Sequence, residues 1–283
     1  HQAGAETRSL FGRNVAMSAE EFLRQGRLSD AFAALKEQVR KEPANAKLRV
    51  FLFQVLAVQG DWERALTQLN TAAEMDASTL AMAQMYREAL SCEALRAEVF
   101  AGLRTPLVFG EPPPWLGLLL EALRLSAAGN HAAAQPLRDQ AFEAAPATSG
   151  TIDGQAFAWI ADADVRLGPV LEAVVNGRYY WIPMQHIQRI DVEPPVDLRD
   201  LVWMPVHFMW ANGGESVGVI PTRYPGSERA EDEAIRLARK TAWEELAPGV
   251  YQGIGQRMLT TDAGEYPLME VRQIHLNVSS QGP

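Results

Sequence analysis

Ser216 lies in Gly214-Glu215-Ser216-Val217-Gly218, a glycine-flanked serine of the kind that serves as an acyl-transfer nucleophile. Asp262 and His275 follow it in the order serine, acid, histidine, which is the chain order of an α/β-hydrolase triad. That chemistry carries a structural condition. The serine must sit on a strained turn between a strand and a helix, where backbone N–H groups meet the oxyanion. The residues after Ser216 read VGVIPTRYPG, which is strand-like and proline-containing. A Gly-rich hairpin therefore fits better than a nucleophile elbow, and a serine hydrolase using Ser216, Asp262 and His275 stands as the alternative reading.

Other reactive residues are weaker still. Asp162 and Asp164, in WIADADVRLG, form a DxD pair that could offer hard oxygen ligands to a divalent cation. No EF-hand spacing surrounds them, so solvated loop carboxylates or caps of adjacent turns are expected instead. His1, His131, His186, His207 and His275 include no i, i+4 pair that would put two imidazoles on one zinc ion. Gly249, Gly253 and Gly255 have the wrong spacing for a dinucleotide fingerprint. The expectation is no catalytic residue, no metal and no cofactor.

The 283 residues, 47% of them hydrophobic, suffice for one large domain or two ordinary ones. With 26 basic against 35 acidic residues the net charge is -9, and no Lys/Arg cluster is dense enough to follow a phosphate backbone, which disfavours nucleic acid. The single cysteine, Cys92, excludes an intramolecular disulfide and reads as a buried thiol of a reducing compartment. Apolar runs such as Trp115 to Leu120 are too short to insert in a membrane. Residues 1–16 lack the basic start and apolar run of a secretory signal and read as an appended or unstructured segment, with the natural sequence beginning at Met17.

The elements that would position any site begin with a repeat. Leu28, Ala31, Phe32, Leu35 and Val39 fall on one helix face, and Trp62, Ala65, Leu66, Leu69 and Ala73 repeat that spacing 34 residues later. Gly26 and Gly60 are also 34 apart, the length of one tetratricopeptide helix pair, in which Gly ends a turn and a small Ala allows close packing. Gly129, Ala134 and Pro146 reproduce the spacing of Gly26, Ala31 and Pro43. Ser78 to Leu103 and Leu116 to Ala127 read as further helices, so the first 146 or so residues are expected to be all helical.

After Pro146 the texture becomes β-branched and aromatic. Asn176-Gly177 suits a tight hairpin between Val170 to Val175 and Arg178 to Ile182. His186 to Val192 reads as another strand. A second hairpin joins Leu201 to Trp210 with Ser216 to Arg223, and a third joins Val250 to Thr260 with Tyr266 to Leu276 across TDAG. One helix is expected over about Glu228 to Glu245. The predicted architecture is α+β: residues 17–150 a tetratricopeptide-like helical domain, residues 151–283 a small antiparallel β-rich domain with one helix. Tyr179, Tyr180, Trp181, Trp203, Phe208 and Trp210 should be mostly core, with Tyr180 and Trp210 the members most exposed for partner contact.

With these repeats followed in order by WIADADVRLGPVLEAVVNGRYYWIP and LRDLVWMPVHFMWANG, the chain from about Met17 to Leu276 resembles the ImpE family, also called SciE or TagJ, of type VI secretion accessory proteins. The resemblance implies a cytoplasmic, non-enzymatic protein that binds the small subunit of the contractile sheath and, in some systems, the ClpV ATPase that disassembles contracted sheaths. Stacked helix pairs offer a concave surface for a partner helix, with apolar anchors buried and rim charges setting register. On that reading the first helix of the second unit lines the groove, making Arg49, Phe53, Gln54 and Ala57 candidates for partner contact beside Tyr180 and Trp210. A general peptide-binding repeat protein of another pathway would be built the same way.

Overall fold

A computed structural model describes residues 17–279. The segment 1–16, read above as appended or unstructured, lies outside the described residues.

Among the described residues seven α-helices come first: α1 (Ala19–Arg24), α2 (Leu28–Lys41), α3 (Ala46–Val58), α4 (Trp62–Met75), α5 (Leu80–Phe100), α6 (Pro114–Ala127) and α7 (His131–Ala144). Local chemistry sets their ends. Ser18, Asn45 and Asp61 accept backbone N–H groups of the first turns of α1, α3 and α4. Gly26, Gly60 and Gly129 all have φ between 74° and 87°, the left-handed geometry that favours glycine. Each closes the preceding helix with the same pair of bonds; after α3 these run from the Gly60 N–H to the Ala57 carbonyl and from the Asp61 N–H to the Leu56 carbonyl, both 3.0 Å. The recurring glycine is thus the C-terminal stop of the first helix in each antiparallel pair, α1–α2, α3–α4 and α6–α7.

The second part is built on a nine-stranded sheet. Its strands are β1 (Leu107–Val108), β2 (Gly150–Ile152), β3 (Gln155–Phe157), β5 (Val170–Val175), β6 (Arg178–Pro183), β7 (Ile187–Val192), β8 (Trp203–Trp210), β9 (Glu215–Pro221) and β14 (Gln273–Leu276). They run in the order β1-β6-β5-β9-β8-β7-β14-β2-β3. A second sheet holds β4 (Ile160–Asp162), β12 (Met258–Thr261) and β13 (Glu265–Pro267) in the order β13-β12-β4, and β10 (Thr241–Ala247) with β11 (Val250–Gly255) forms a separate hairpin. Asn176 and Gly177 take φ of 49° and 76°, the double left-handed turn that joins twisted strands with two residues.

Three expectations are corrected. Leu107–Val108, inside the segment read as all helical, pairs parallel with Tyr180 and Trp181. The helix expected over Glu228 to Glu245 is reduced to α8 (Glu233–Arg236), because Ala238 turns left-handed at φ 54° and Thr241–Ala247 then pairs with β11. The third hairpin exists only as β12–β13; β11 turns back to β10, and β14 crosses to the main sheet between β7 and β2.

The main sheet is buried on both faces along β5, whereas β7 and β14 interleave buried with more exposed residues. Val170, Val174, Tyr179, Trp181, Trp203 and Val219 pack with the helices, whereas Leu171, Ala173, Val175, Ile182 and Phe208 pack under the second sheet. Alternation along the central strands therefore feeds two cores, one shared with the helical layer.

Candidate partner surface

The serine, acid and histidine do not meet. Ser216, Phe208, Ile190 and Ile274 form one row across β9, β8, β7 and β14, so Ser216 lies three strand spacings, roughly 14 Å, from the row position beside His275. His275, one residue further along, points to the opposite face. Asp262 sits in the β12–β13 turn, where its Oδ1 accepts the Ala158 N–H at 2.7 Å. Ser216 is in a hairpin strand, and its Oγ accepts the Trp210 Nε1–H at 3.1 Å. Among the described residues no three His, Cys, Asp or Glu side chains are placed to hold a metal ion.

The concave side of the helix pairs is already occupied. The 3₁₀ turn Leu198–Leu201 and Trp203 lie against α3, α4 and α5: the Arg199 N–H donates to Gln54 Oε1 at 2.9 Å, and the Trp203 ring lies within 6 Å of both Trp62 and Tyr86. Phe53 and Ala57 are fully buried and Gln54 nearly so. Their expected place on an open groove is therefore corrected: in this structure the groove-facing side of α3 is filled from within the chain. Arg49 stays half-exposed and donates to Gln68 Oε1 and the Pro43 carbonyl. Trp210, expected to be exposed, is buried and stacked on Phe109 at 3.9 Å, while Tyr180 is half-buried with an edge-on contact to Phe109.

What joins the two layers is a buried lattice of charge. Glu172, on the helix-facing side of β5, accepts from Arg96 of α5, from Arg257 Nη2 at 2.7 Å and from the Tyr179 hydroxyl at 3.1 Å. Burial alone would raise its pKa, but the two guanidinium groups prevail and hold it at about 2. Arg257 also reaches Asp162 Oδ2 at 2.6 Å, and the Tyr224 hydroxyl donates to Asp162 Oδ1 at 2.7 Å. Burial pushes the Asp162 carboxyl up to about 6, with Arg257 pulling the other way. Asp164 takes both a chelating pair of bonds from Arg166 and the Gly253 N–H. The DxD pair was expected to be solvated; instead both carboxylates are buried and paired, although each also caps a backbone N–H two residues on, as one of the expectations held. Arg223 donates to the Val58 carbonyl at 2.7 Å, placing positive charge on the C-terminus of α3. Cys92 is buried as expected, which pushes its thiol up to about 11.

An open concavity lies between α7 and the β10–β11 hairpin. Trp243 and Tyr251 stand on the hairpin and Val165 on the loop below, each more than a third exposed. Composition did not single them out, because Trp243 fell within the expected helix.

The ImpE protein family model matches residues 154–275, and a tetratricopeptide repeat model matches residues 22–89. The type VI secretion system accessory component TagJ of Pseudomonas aeruginosa is 54% identical over 261 residues, covering 92% of each chain. The chain belongs to the ImpE family. The crystal structure of protein VPA1032 from Vibrio parahaemolyticus superimposes on this ImpE-family chain with a TM-score of 0.80, covering 91% of this chain and 97% of that one. At 24% identity that likeness speaks to the fold, and it shows the helical and β-rich parts together as one arrangement. Membership places the protein among type VI secretion accessory components, with a tetratricopeptide-like repeat as its N-terminal part. No helix among the described residues is long and apolar enough to cross a membrane.

Proposed function

We propose that this protein is a non-enzymatic, cytoplasmic accessory component of a type VI secretion system that binds a helix of the small contractile-sheath subunit and links it to the ClpV ATPase. The observation that carries the reading is the 54% identity to TagJ across 92% of both chains. The separation of Ser216, Asp262 and His275 supports a binding role over a hydrolytic one. Because Trp203 and the Leu198–Leu201 turn fill the repeat groove, a docking helix uses either the half-exposed helical rim at Arg49 or another face, such as the far face of the sheet where Tyr180 lies beside Phe109.

The test is co-purification of the full chain with the small sheath subunit and with the ATPase, each expressed beside it. A stable complex with the sheath subunit is the expected result. If neither protein is retained, the proposal fails.

A further inference from the structure

Arg138 of α7 is 3% exposed, yet its guanidinium is almost unused. Its Nη1 donates to Gln135 Oε1 at 3.2 Å, its Nε has no acceptor, and among the described residues no carboxylate lies within 4.0 Å of it. The neighbouring acid Asp164 is committed to Arg166 at 2.7 Å and to the Gly253 N–H. A buried cation with one neutral partner is costly, and natural chains keep such a cost chiefly where a ligand completes the site. Burial accordingly lowers the Arg138 pKa, with Asp164 and Asp139 opposing it.

Arg138 lines the concavity between α7 and the β10–β11 hairpin, which encloses about 510 Å³. The walls are apolar: Phe142 and Val165 on one side, Trp243 and Tyr251 on the other. Phe142 and Val165 are shared with an adjoining concavity of about 400 Å³ whose lining includes Trp159, so apolar surface extends beyond the first concavity. The rim carries Asp139 and Glu265, which repel phosphate and favour a basic residue at the edge of whatever docks. Exposed aromatic walls, a buried unpaired cation and an acidic rim together describe the negative image of a peptide.

We infer that the groove between α7 and the β10–β11 hairpin docks a partner segment that presents an Asp or Glu to Arg138 between apolar side chains. The inference rests on the proposed accessory role only for the choice of partner, the small sheath subunit. The carboxylate supplies the acceptor that Arg138 lacks, and the docked apolar residues exclude water from a charge-assisted pair, which strengthens it. The segment's apolar residues cover Trp243, Tyr251 and Val165.

Short labelled peptides tiling the small sheath subunit, titrated with the full-length protein and followed by fluorescence anisotropy, test this directly. At least one peptide with an acidic residue between apolar ones should bind. Arg138→Gln should weaken it roughly 10- to 100-fold, as expected for losing a hydrogen bond to a charged group. Replacing the peptide's acid by Ala should cost the same, with no further loss when both changes are combined. Arg138→Gln should leave the thermal midpoint unchanged or raised, because it removes an unpaired buried charge; a purely structural arginine would lower it. Tyr251→Ala, on the exposed hairpin, gives a second reading of the same site.

Failure of every peptide to bind, binding indifferent to Arg138→Gln, or a dimer of this chain that Arg138→Gln dissolves would each overturn the inference. Co-purification of the sheath subunit that survives Arg138→Gln would overturn the groove and leave the accessory role standing. If the wild type retains neither protein the accessory role falls, and the peptides alone then decide the groove.

Discussion

Glu172 sits in the middle of VLEAVV, a strand buried along its whole length, and its carboxylate is the point where α5, β5 and the Arg257 loop meet. Removing one partner from such a cluster leaves the others buried and uncompensated, so Glu172→Gln should destabilise the protein by about 3–5 kcal/mol. Its pH signature follows from the sign of the shift. A carboxyl held at about 2 contributes stability that is present above its ordinary value of 4.5 and is lost as pH falls towards 2. Urea unfolding of wild type and Glu172→Gln should therefore differ by a constant amount above pH 4.5 and converge below it. Asp162 has the opposite sign: raised from 3.8 to about 6, its contribution is full below 3.8 and lost as pH rises through 6. The stability of wild type relative to Asp162→Asn should thus grow as pH falls across that window. A charged residue within an apolar strand is visible in the sequence, but its partners are not. Arg96 lies 76 residues before Glu172 and Arg257 85 after it, and no local pattern joins them.

At the level of elements, local signals were legible wherever local chemistry decides the outcome. The glycine recurrence marked three helix stops and Asn176-Gly177 marked a hairpin, because both depend on left-handed φ that few other residues adopt. The segment Thr241–Ala247 was misread because WEELA suits a helix by propensity, and only pairing with β11 and the turn at Gly249 make it a strand. The repeat glycines also differ in a way that periodicity hides. A Cβ at Gly60 would lie 2.3 Å from Glu228 Cγ and 2.8 Å from its Cβ, whereas one at Gly129 meets nothing within 4 Å. Gly129→Ala should therefore cost only the left-handed strain, roughly 1–2 kcal/mol. Gly60→Ala should cost that plus the displacement of Glu228, which lies beside the α3 terminus that Arg223 holds. Thermal unfolding of the two variants side by side measures the difference, and equal losses would mean that the β-rich part does not press on this turn.

Across the whole molecule, what the repeat could not reveal is that its concave face is filled by its own chain. The residue that reaches Gln54 is Arg199, 145 positions away, and the ring that meets Trp62 and Tyr86 is Trp203. A repeat pattern specifies the shape of a groove and is silent about its occupant. The two parts accordingly share one core: Phe53, Leu56 and Val99 from the helices belong to the same buried cluster as Tyr179, Trp181, Trp203 and Val219 from the sheet. Cutting the chain near residue 150 would expose that surface on both halves, leave Arg96 without Glu172, and remove the Leu107–Val108 strand from the sheet edge. The full chain should consequently unfold in a single transition seen alike by far-ultraviolet circular dichroism and by tryptophan fluorescence. Residues 17–150 and 151–283 expressed apart should be insoluble or lack a cooperative transition, and should regain one when co-expressed. Two well-separated transitions in the full chain, or independent cooperative folding of either half, would show that the charge lattice and the filled groove contribute little to cohesion.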